Sequence, residues 1–356
     1  MLNVIVAILI FGFIILVHEF GHFLFAKLSG ITVVEFSLGM GPRLCSVVWG
    51  ETRYSIKILP FGGSCMMMGE DGDEKAPGAF TTKPVLARIA VIAAGPVFNF
   101  ILAFLFAMVI VAQLGYSGSV LTDVVEDGPA AEAGLLPGDK IVRINNRGVT
   151  TNRDVSWYML SHPGEAVTLK VRRPEGGSWS KGTAYETLTM HMQPEYSSEA
   201  GVYRIGVMFP AAGEKADSLA DLIYYSAYEV KFCVVSTFDS FRMLFTRQVQ
   251  VDEAMAGPVR IVSMVSETVG EGREAGTNVL LLFISNWILL LSTSLGIMNL
   301  LPIPALDGGR LVFLILELLR GKPVDPEKEG MVHMAGMMVL MALMVVILFN
   351  DIRNLI

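Results

Sequence analysis

His18-Glu19-Phe20-Gly21-His22 closes an apolar run that starts at Leu2, stays uncharged to Val17 and continues to Leu28. The run is long enough to cross a bilayer, which takes about 20 residues of helix. In a helix, residues four apart differ by only about 40° around the axis. His18 and His22 therefore project from one face, one turn apart, where neutral imidazoles can pinch a single Zn²⁺. Glu19 then lies beside the ion, placed to take a proton from water and pass it to a leaving amine. Ionisable side chains at that depth cost about 2.5–3.5 kcal/mol each on insertion scales, and a purely structural span gains nothing from three of them. The run has no basic n-region, since Lys27 is its first cation. It reads as a retained helix and not as a signal peptide.

The whole chain of 356 residues is 53% hydrophobic and only 17% charged, against about a quarter charged in an average soluble domain. This excludes an ordinary soluble enzyme, a disordered chain and a secreted disulfide module. A net charge of −7 gives no reason to expect nucleic acid as a partner. Cys45, Cys65 and Cys233 are far apart and form no framework. Three further apolar stretches can span lipid: Ile89 to Thr122, Ala275 to Leu306, and Gly330 to Asn350. Backbone in lipid must pair within its own segment, so all four should be helical. Cations gather after the first span (Lys27, Arg43, Arg53, Lys57, Lys75, Lys83, Arg88) and between the third and fourth (Arg310, Arg320, Lys322, Lys328). The positive-inside rule puts both loops in the cytoplasm and both termini outside. The first loop is diluted by Glu35, Glu51, Glu70, Asp71, Asp73 and Glu74, so the later loop decides the orientation.

Two histidines do not complete a catalytic zinc site, which takes three protein ligands. His162 and His191 belong to a polar, Gly/Pro-punctuated segment on the other side of the membrane, and His333, alone in the fourth span, reads as a polar packing residue. Asp307 is the better candidate. It follows an uncharged span and a stretch broken by Pro302 and Pro304, and is followed by Gly308-Gly309. The first and third spans both run outside to inside, so both motifs arrive at similar depth.

These residues resemble the site-2 protease family of intramembrane zinc metalloproteases, in its bacterial, regulator of sigma-E protease-like branch. The resemblance covers nearly the whole chain: His18 to His22, Leu59-Pro60-Phe61-Gly62-Gly63, Ala94-Gly95-Pro96-Val97-Phe98-Asn99-Phe100, and Asn299 through Gly309. It implies one Zn²⁺ held by His18, His22 and Asp307, with Glu19 as catalytic base. It also implies a membrane β-hairpin that guides an extended substrate, giving Tyr54, Gly62, Gly63, Asn299 and Pro304 as substrate-binding candidates. The stretch Asp127 to Ile141 looks like part of a PDZ domain, and Leu114 to Ser119, with Tyr116, Ser117 and Gly118, stands at the position of its carboxylate-binding loop. The best-known enterobacterial members carry two PDZ domains in tandem; this chain has room for one.

The expected fold is a polytopic α-helical membrane protein with four transmembrane helices, a membrane-associated β-hairpin region and an inserted extracytoplasmic, β-rich PDZ domain. The divisions are 1–30 (first helix), 31–84 (hairpin region and loop), 85–114 (second helix), 115–195 (PDZ), 196–274 (amphipathic, interfacial), 275–309 (third helix), 310–329 (cytoplasmic loop) and 330–352 (fourth helix). The expected activity is hydrolysis of a peptide bond in or near the membrane segment of single-pass proteins, such as anti-sigma factors or signal-peptide remnants, in a bacterial inner membrane. An upstream site-1 protease would act first on the same substrate, with the PDZ domain as a size filter. The rivals are a membrane metal transporter, which needs ligands along several helices, and an inactive PDZ scaffold, against which the intact Glu19 argues.

Overall fold

The computed structural model describes residues 2–70, 76–177, 179, 182–211, 213–248 and 257–355. Asp71, Asp73, Glu74 and Lys75 of the charge argument lie outside the described residues. In chain order the elements are α1 (Leu2–Leu28), β1 (Val33–Trp49), β2 (Thr52–Met67), α2 (Val85–Leu114), β3 (Asp123–Val124), α3 (Pro129–Glu132), β4 (Lys140–Ile144), β5 (Arg147–Gly148), α4 (Asn152–Ser161), β6 (Val167–Pro174) and β7 (Tyr185–Met192). There follow β8 (Glu195–Ser197), β9 (Val202–Arg204), β10 (Val207–Met208), α5 (Leu219–Phe245), α6 (Pro258–Ala275), α7 (Thr277–Leu300), α8 (Asp307–Arg320) and α9 (Pro326–Leu355). Two compact units emerge: Met1–Val109 with Glu229–Val234 and Val249–Ile356, and Ile110–Tyr228 with Val235–Gln248.

Four helices of the described residues are long and apolar enough to cross a membrane: α1, α2, α7 and the stretch Glu327–Asp351 of α9. In the first unit, Ala7, Ile10 and Ile14 of α1 pack with Leu102 of α2, Val265 and Val269 of α6, and Ile288 of α7. Lipid tails are as apolar as these side chains, so close packing, more than exclusion of water, holds such helices together. The segment 275–309 is not one helix. α7 stops at Leu300 and α8 starts at Asp307, because Pro302 and Pro304 supply no backbone donors and Ala305 takes a left-handed φ of 77°. Beyond it, α8 fills much of what reads in the sequence as a loop at 310–329.

β1 and β2 form more than a simple hairpin. Glu35, Phe36, Ser37 and Leu38 each have two partners: Met66, Cys65, Ser64 and Gly63, and also Arg53, Tyr54, Ser55 and Ile56. The residues Cys45 to Trp49 pair in turn with Ile56 to Thr52. Two chain segments thus make four lanes, with Gly63–Met67 at one edge and Cys45–Trp49 at the other. A carboxylate sits in the middle of this sheet. Glu35 is buried and accepts from Arg43 Nε at 2.6 Å and Ser55 Oγ at 2.7 Å, with Lys57 Nζ at 3.6 Å. The Arg43 hydrogen bond, against the cost of desolvation, holds its carboxyl down at about 2.

The second unit is built on a four-stranded sheet in the order β5-β4-β6-β7. Val167, Leu169 and Val171 alternate inward along β6, as a strand with one buried face requires. They meet Ile141, Ile144, Val155, Met190 and Ile205. Thr151 and Asp154 close α4 with a capping box. α5 is latched to this unit's sheet and α4. Asp239 accepts from the Arg147 guanidinium and from Trp157 Nε1, Tyr228 Oη donates to Asp154 at 2.6 Å, and Tyr225 stacks on Tyr116. The domain does not end at 195. β10 pairs with β3, Ile205 belongs to the core, and Glu214 pairs with Tyr116. Among its described residues the segment 196–274 therefore holds three short strands, α5 and α6, and not a single interfacial stretch.

Candidate metal centre

α1 sets His18 and His22 one turn apart, with ring centroids 4.8 Å from each other. The start of α8 brings Asp307 to them across more than 280 residues of chain. His18 Nε2 and His22 Nε2 are 3.2 Å apart, and Asp307 Oδ2 stands 3.2 Å from the first and 3.4 Å from the second. Both imidazoles are buried, and Oδ2 is a buried oxygen with no hydrogen-bond partner. Three Lewis-basic atoms facing one another in that way are costly on their own. A tetrahedral ion with ligands at about 2.0–2.1 Å spaces adjacent ligand atoms by about 3.3–3.4 Å. The triangle fits such an ion, and the two-nitrogen, one-carboxylate donor set suits zinc.

What lies behind the imidazoles fixes which nitrogen faces the triangle. His22 Nδ1 donates to the Val91 carbonyl of α2 at 2.9 Å. His18 Nδ1 meets the Asn99 side-chain amide at 3.1 Å. Asn99 is fully buried, and its other amide atom has no partner. Turning that amide over lets Oδ1 accept from His18 Nδ1–H, which satisfies the orphan oxygen and leaves Nε2 as a lone pair toward the triangle. Both rings then have the outer hydrogen bond that metal-ligating histidines use for orientation.

Glu19 is half-buried one residue along from His18, and the backbone N–H of Cys65 donates to it. The edge lane of the hairpin sheet comes in here because residue 63 has no side chain. A Cβ on Gly63 would lie 2.8 Å from Glu19 Cγ and 3.1 Å from Ile15 Cγ2. On the other flank, a Cβ on Gly95 of α2 would overlap the His22 ring and stand 2.8 Å from His18 Cε1. Asn299, at the end of α7, puts its Nδ2 3.3 Å from His18 Nε2. Asn299 thus stands at the triangle and Gly63 beside Glu19, whereas Gly62 faces Met40 and Pro304 packs against Gly336 of α9. Tyr54 stands among Phe23, Phe36 and Trp49 and lines an apolar recess with Leu16, Leu38, Val47 and Ile56.

Sequence reading missed Val91, Gly95 and Asn99 as parts of the centre. Gly95 and Asn99 stand in the Ala94–Phe100 motif without a role assigned to them, and Asn99 left a further signal: a lone amide in an uncharged span is costly in lipid. In the second unit Tyr116, Ser117 and Gly118 do not line the groove. The Tyr116 N–H is taken by Glu214 O, and Gly118 pairs with Thr151, so this stretch is bridged into the sheet and not a free loop. The groove, about 520 Å³, lies between Val155, Ser156, Met159 and Leu160 of α4 and the stretch Val202–Phe209.

Two imidazoles a turn apart, a carboxylate from a distant helix and a glutamate beside them, within apolar helices, make the constellation of a metal-dependent hydrolase set in a membrane. The chain belongs to peptidase family M50, whose model it matches over residues 6–343. A Clostridium acetobutylicum protein named provisionally as a zinc metalloprotease is 34% identical over 350 residues, covering 98% of this chain and 97% of that one. The zinc metalloprotease RasP of Bacillus licheniformis is 32% identical, covering 99% of both chains. The regulator of sigma-W protease RasP of Bacillus subtilis is 31% identical, also covering 99% of both. A solved PDZ domain from Listeria monocytogenes aligns with 26% of this chain at 21% identity and a TM-score of 0.21, too low to argue from. The protein is an integral membrane metalloendopeptidase, and zinc is its cofactor.

Proposed function

We propose that His18, His22 and Asp307 hold the zinc and that Glu19 is the catalytic base of peptide-bond hydrolysis within the membrane. The observation that carries this reading is the triangle of 3.2–3.4 Å with its orphan carboxylate oxygen. Zinc bound there supplies Lewis acidity that makes water a nucleophile near neutral pH and polarises the scissile carbonyl. Glu19 takes one proton from the attacking water and delivers it to the leaving amine nitrogen as the C–N bond breaks. Asn299, beside the His18 nitrogen, is placed to hydrogen-bond the substrate. A helical substrate hides its carbonyls, so it must unwind locally before it can react. The Gly62–Cys65 edge, next to Glu19, is where an unwound strand adds to the sheet.

The substrates are single-pass membrane proteins, with anti-sigma factors the favoured class given the sigma-W regulator among the relatives. The active site opens toward the cytoplasmic side of the inner membrane, and the termini and the sheet domain lie outside. That domain acts as a PDZ filter. It captures a peptide in the groove between α4 and Val202–Phe209 and admits substrates already shortened by another protease.

Two measurements test this. Asp307→Ala should lower zinc affinity by more than the ~10–100-fold that residues behind a ligand cost, read by chelator competition on purified protein, and abolish cleavage of a model transmembrane substrate; a variant that keeps its zinc removes Asp307 from the ligand set. Deleting 116–214 should let full-length substrate be cleaved as fast as a pre-shortened one. If the deletion leaves discrimination between the two unchanged, the filter is excluded.

A further inference from the structure

The loop that delivers Asp307 is strained. Ala305, two residues before the carboxylate, has φ 77°, a left-handed conformation that is unfavourable for a residue with a Cβ. Such backbone persists only where its surroundings hold it. Within the loop, Ile303 N–H donates to Leu301 O, and Leu306 N–H to Ile303 O. The N–H of Ala305 reaches out of the loop instead and donates to His333 Nδ1 of α9 at 3.0 Å.

Along α9 most side chains are exposed. From Glu327 to Asn350 no described residue is buried. Asp351 accepts from the N–H groups of Gly257, Val259 and Arg260 at the start of α6, where Ile347 also lies against Gly257, and the helix meets this unit around the Asp307 loop as well. Gly336, three residues on from His333 and so on the same face, lets α9 close on Pro304: a Cβ there would lie 2.7 Å from the Pro304 carbonyl oxygen. The His333 ring is further steadied by Phe313 of α8, with centroids 5.6 Å apart, and its Nε2 faces Glu329 at 3.9 Å. With Nδ1 accepting, the ring proton sits on Nε2, toward that carboxylate.

We propose that His333 is a positioning residue for the metal centre: by accepting from Ala305 it holds the left-handed turn that sets the Asp307 carboxylate against the two imidazoles. The inference rests on Asp307 being a zinc ligand. Without the acceptor, the Ala305 peptide is free to relax to an ordinary φ, and Leu306 and Asp307 turn with it. His333 meets the Asp307 loop at Ala305, two residues before the carboxylate, so its effect is on where the third ligand stands.

The test is zinc affinity, read by competition with a fluorescent chelator on purified, monodisperse full-length protein in detergent. His333→Leu should weaken it about 10–100-fold, the range for residues that orient ligands. His333→Asn, whose Oδ1 can take the place of Nδ1, should restore most of the loss. So should Ala305→Gly in the His333→Leu background, because glycine holds the left-handed turn at no steric cost. Neither rescue is expected if His333 only fills space. Wild-type affinity in His333→Leu, or failure of both rescues, overturns the proposal. Asp307→Ala run alongside separates the two claims. If it loses zinc while His333→Leu does not, the ligand set stands and the positioning role falls; if it keeps zinc, the ligand assignment itself fails.

Discussion

Glu19→Gln is expected to keep its full zinc content and to lose cleavage of a transmembrane substrate by about 10²–10⁴-fold, the usual contribution of a positioned general base. The substitution keeps the shape of the side chain and the acceptor for the Cys65 N–H, so the hairpin edge stays where it is. What goes is the ability to take a proton from water and return it to the amine. Glu19 projects beside the ligand triangle and is not one of its three closest donors, so metal retention should be untouched. Turnover within a few-fold of wild type would remove Glu19 from the role of base. Loss of zinc in the same variant would instead make Glu19 a structural part of the metal centre. Measuring both quantities on one preparation separates these outcomes.

How much of this was legible beforehand follows from what is local in the chain. The apolar spans were, because the bilayer imposes a length and forbids charge over it; the stretch 85–114 has the bounds of α2. The His18–Glu19–His22 face was, because helical periodicity alone puts it there. Asp307 was legible only as a charge at the end of an uncharged span, needing a partner at similar depth. The doubling of β1 and β2 into four lanes was not, since Glu35 to Leu38 have two sets of partners and periodicity shows only that a residue can pair, not how often. The end of the sheet domain was missed for a similar reason. β8, β9 and β10 are two or three residues long, too short to leave a pattern; β8 and β9 pair with each other, and β10 pairs with β3, more than 80 positions earlier. His333 reads as packing because its bond to the Ala305 peptide, 28 residues away, depends on backbone strain that has no signature in residue order.

The second large effect is expected at a residue with no side chain. Gly95→Ala should weaken zinc binding by about 100-fold, the upper end for changes behind metal ligands, with the four spans still helical by circular dichroism. The added methyl group has nowhere to go: it would overlap the His22 ring and sit 2.8 Å from His18 Cε1. The rings cannot swing aside cheaply, because His22 is tied through Nδ1 to the Val91 carbonyl and His18 to Asn99. If α2 backs away instead, it takes Val91 and Asn99 with it, and the imidazoles lose the bonds that aim them. Gly63→Ala is the matching control on the opposite flank. Its methyl group would press on Glu19 Cγ and Ile15, so zinc should stay bound while turnover falls by about 10²-fold, the cost of misplacing a catalytic group by roughly 1 Å. One methyl group on each side should therefore split the two properties, metal retention at Gly95 and catalysis at Gly63. If both variants instead lose zinc equally, Glu19 and the histidines do not form separable parts of the site; if Gly95→Ala binds zinc normally, the imidazoles are not held from behind by α2.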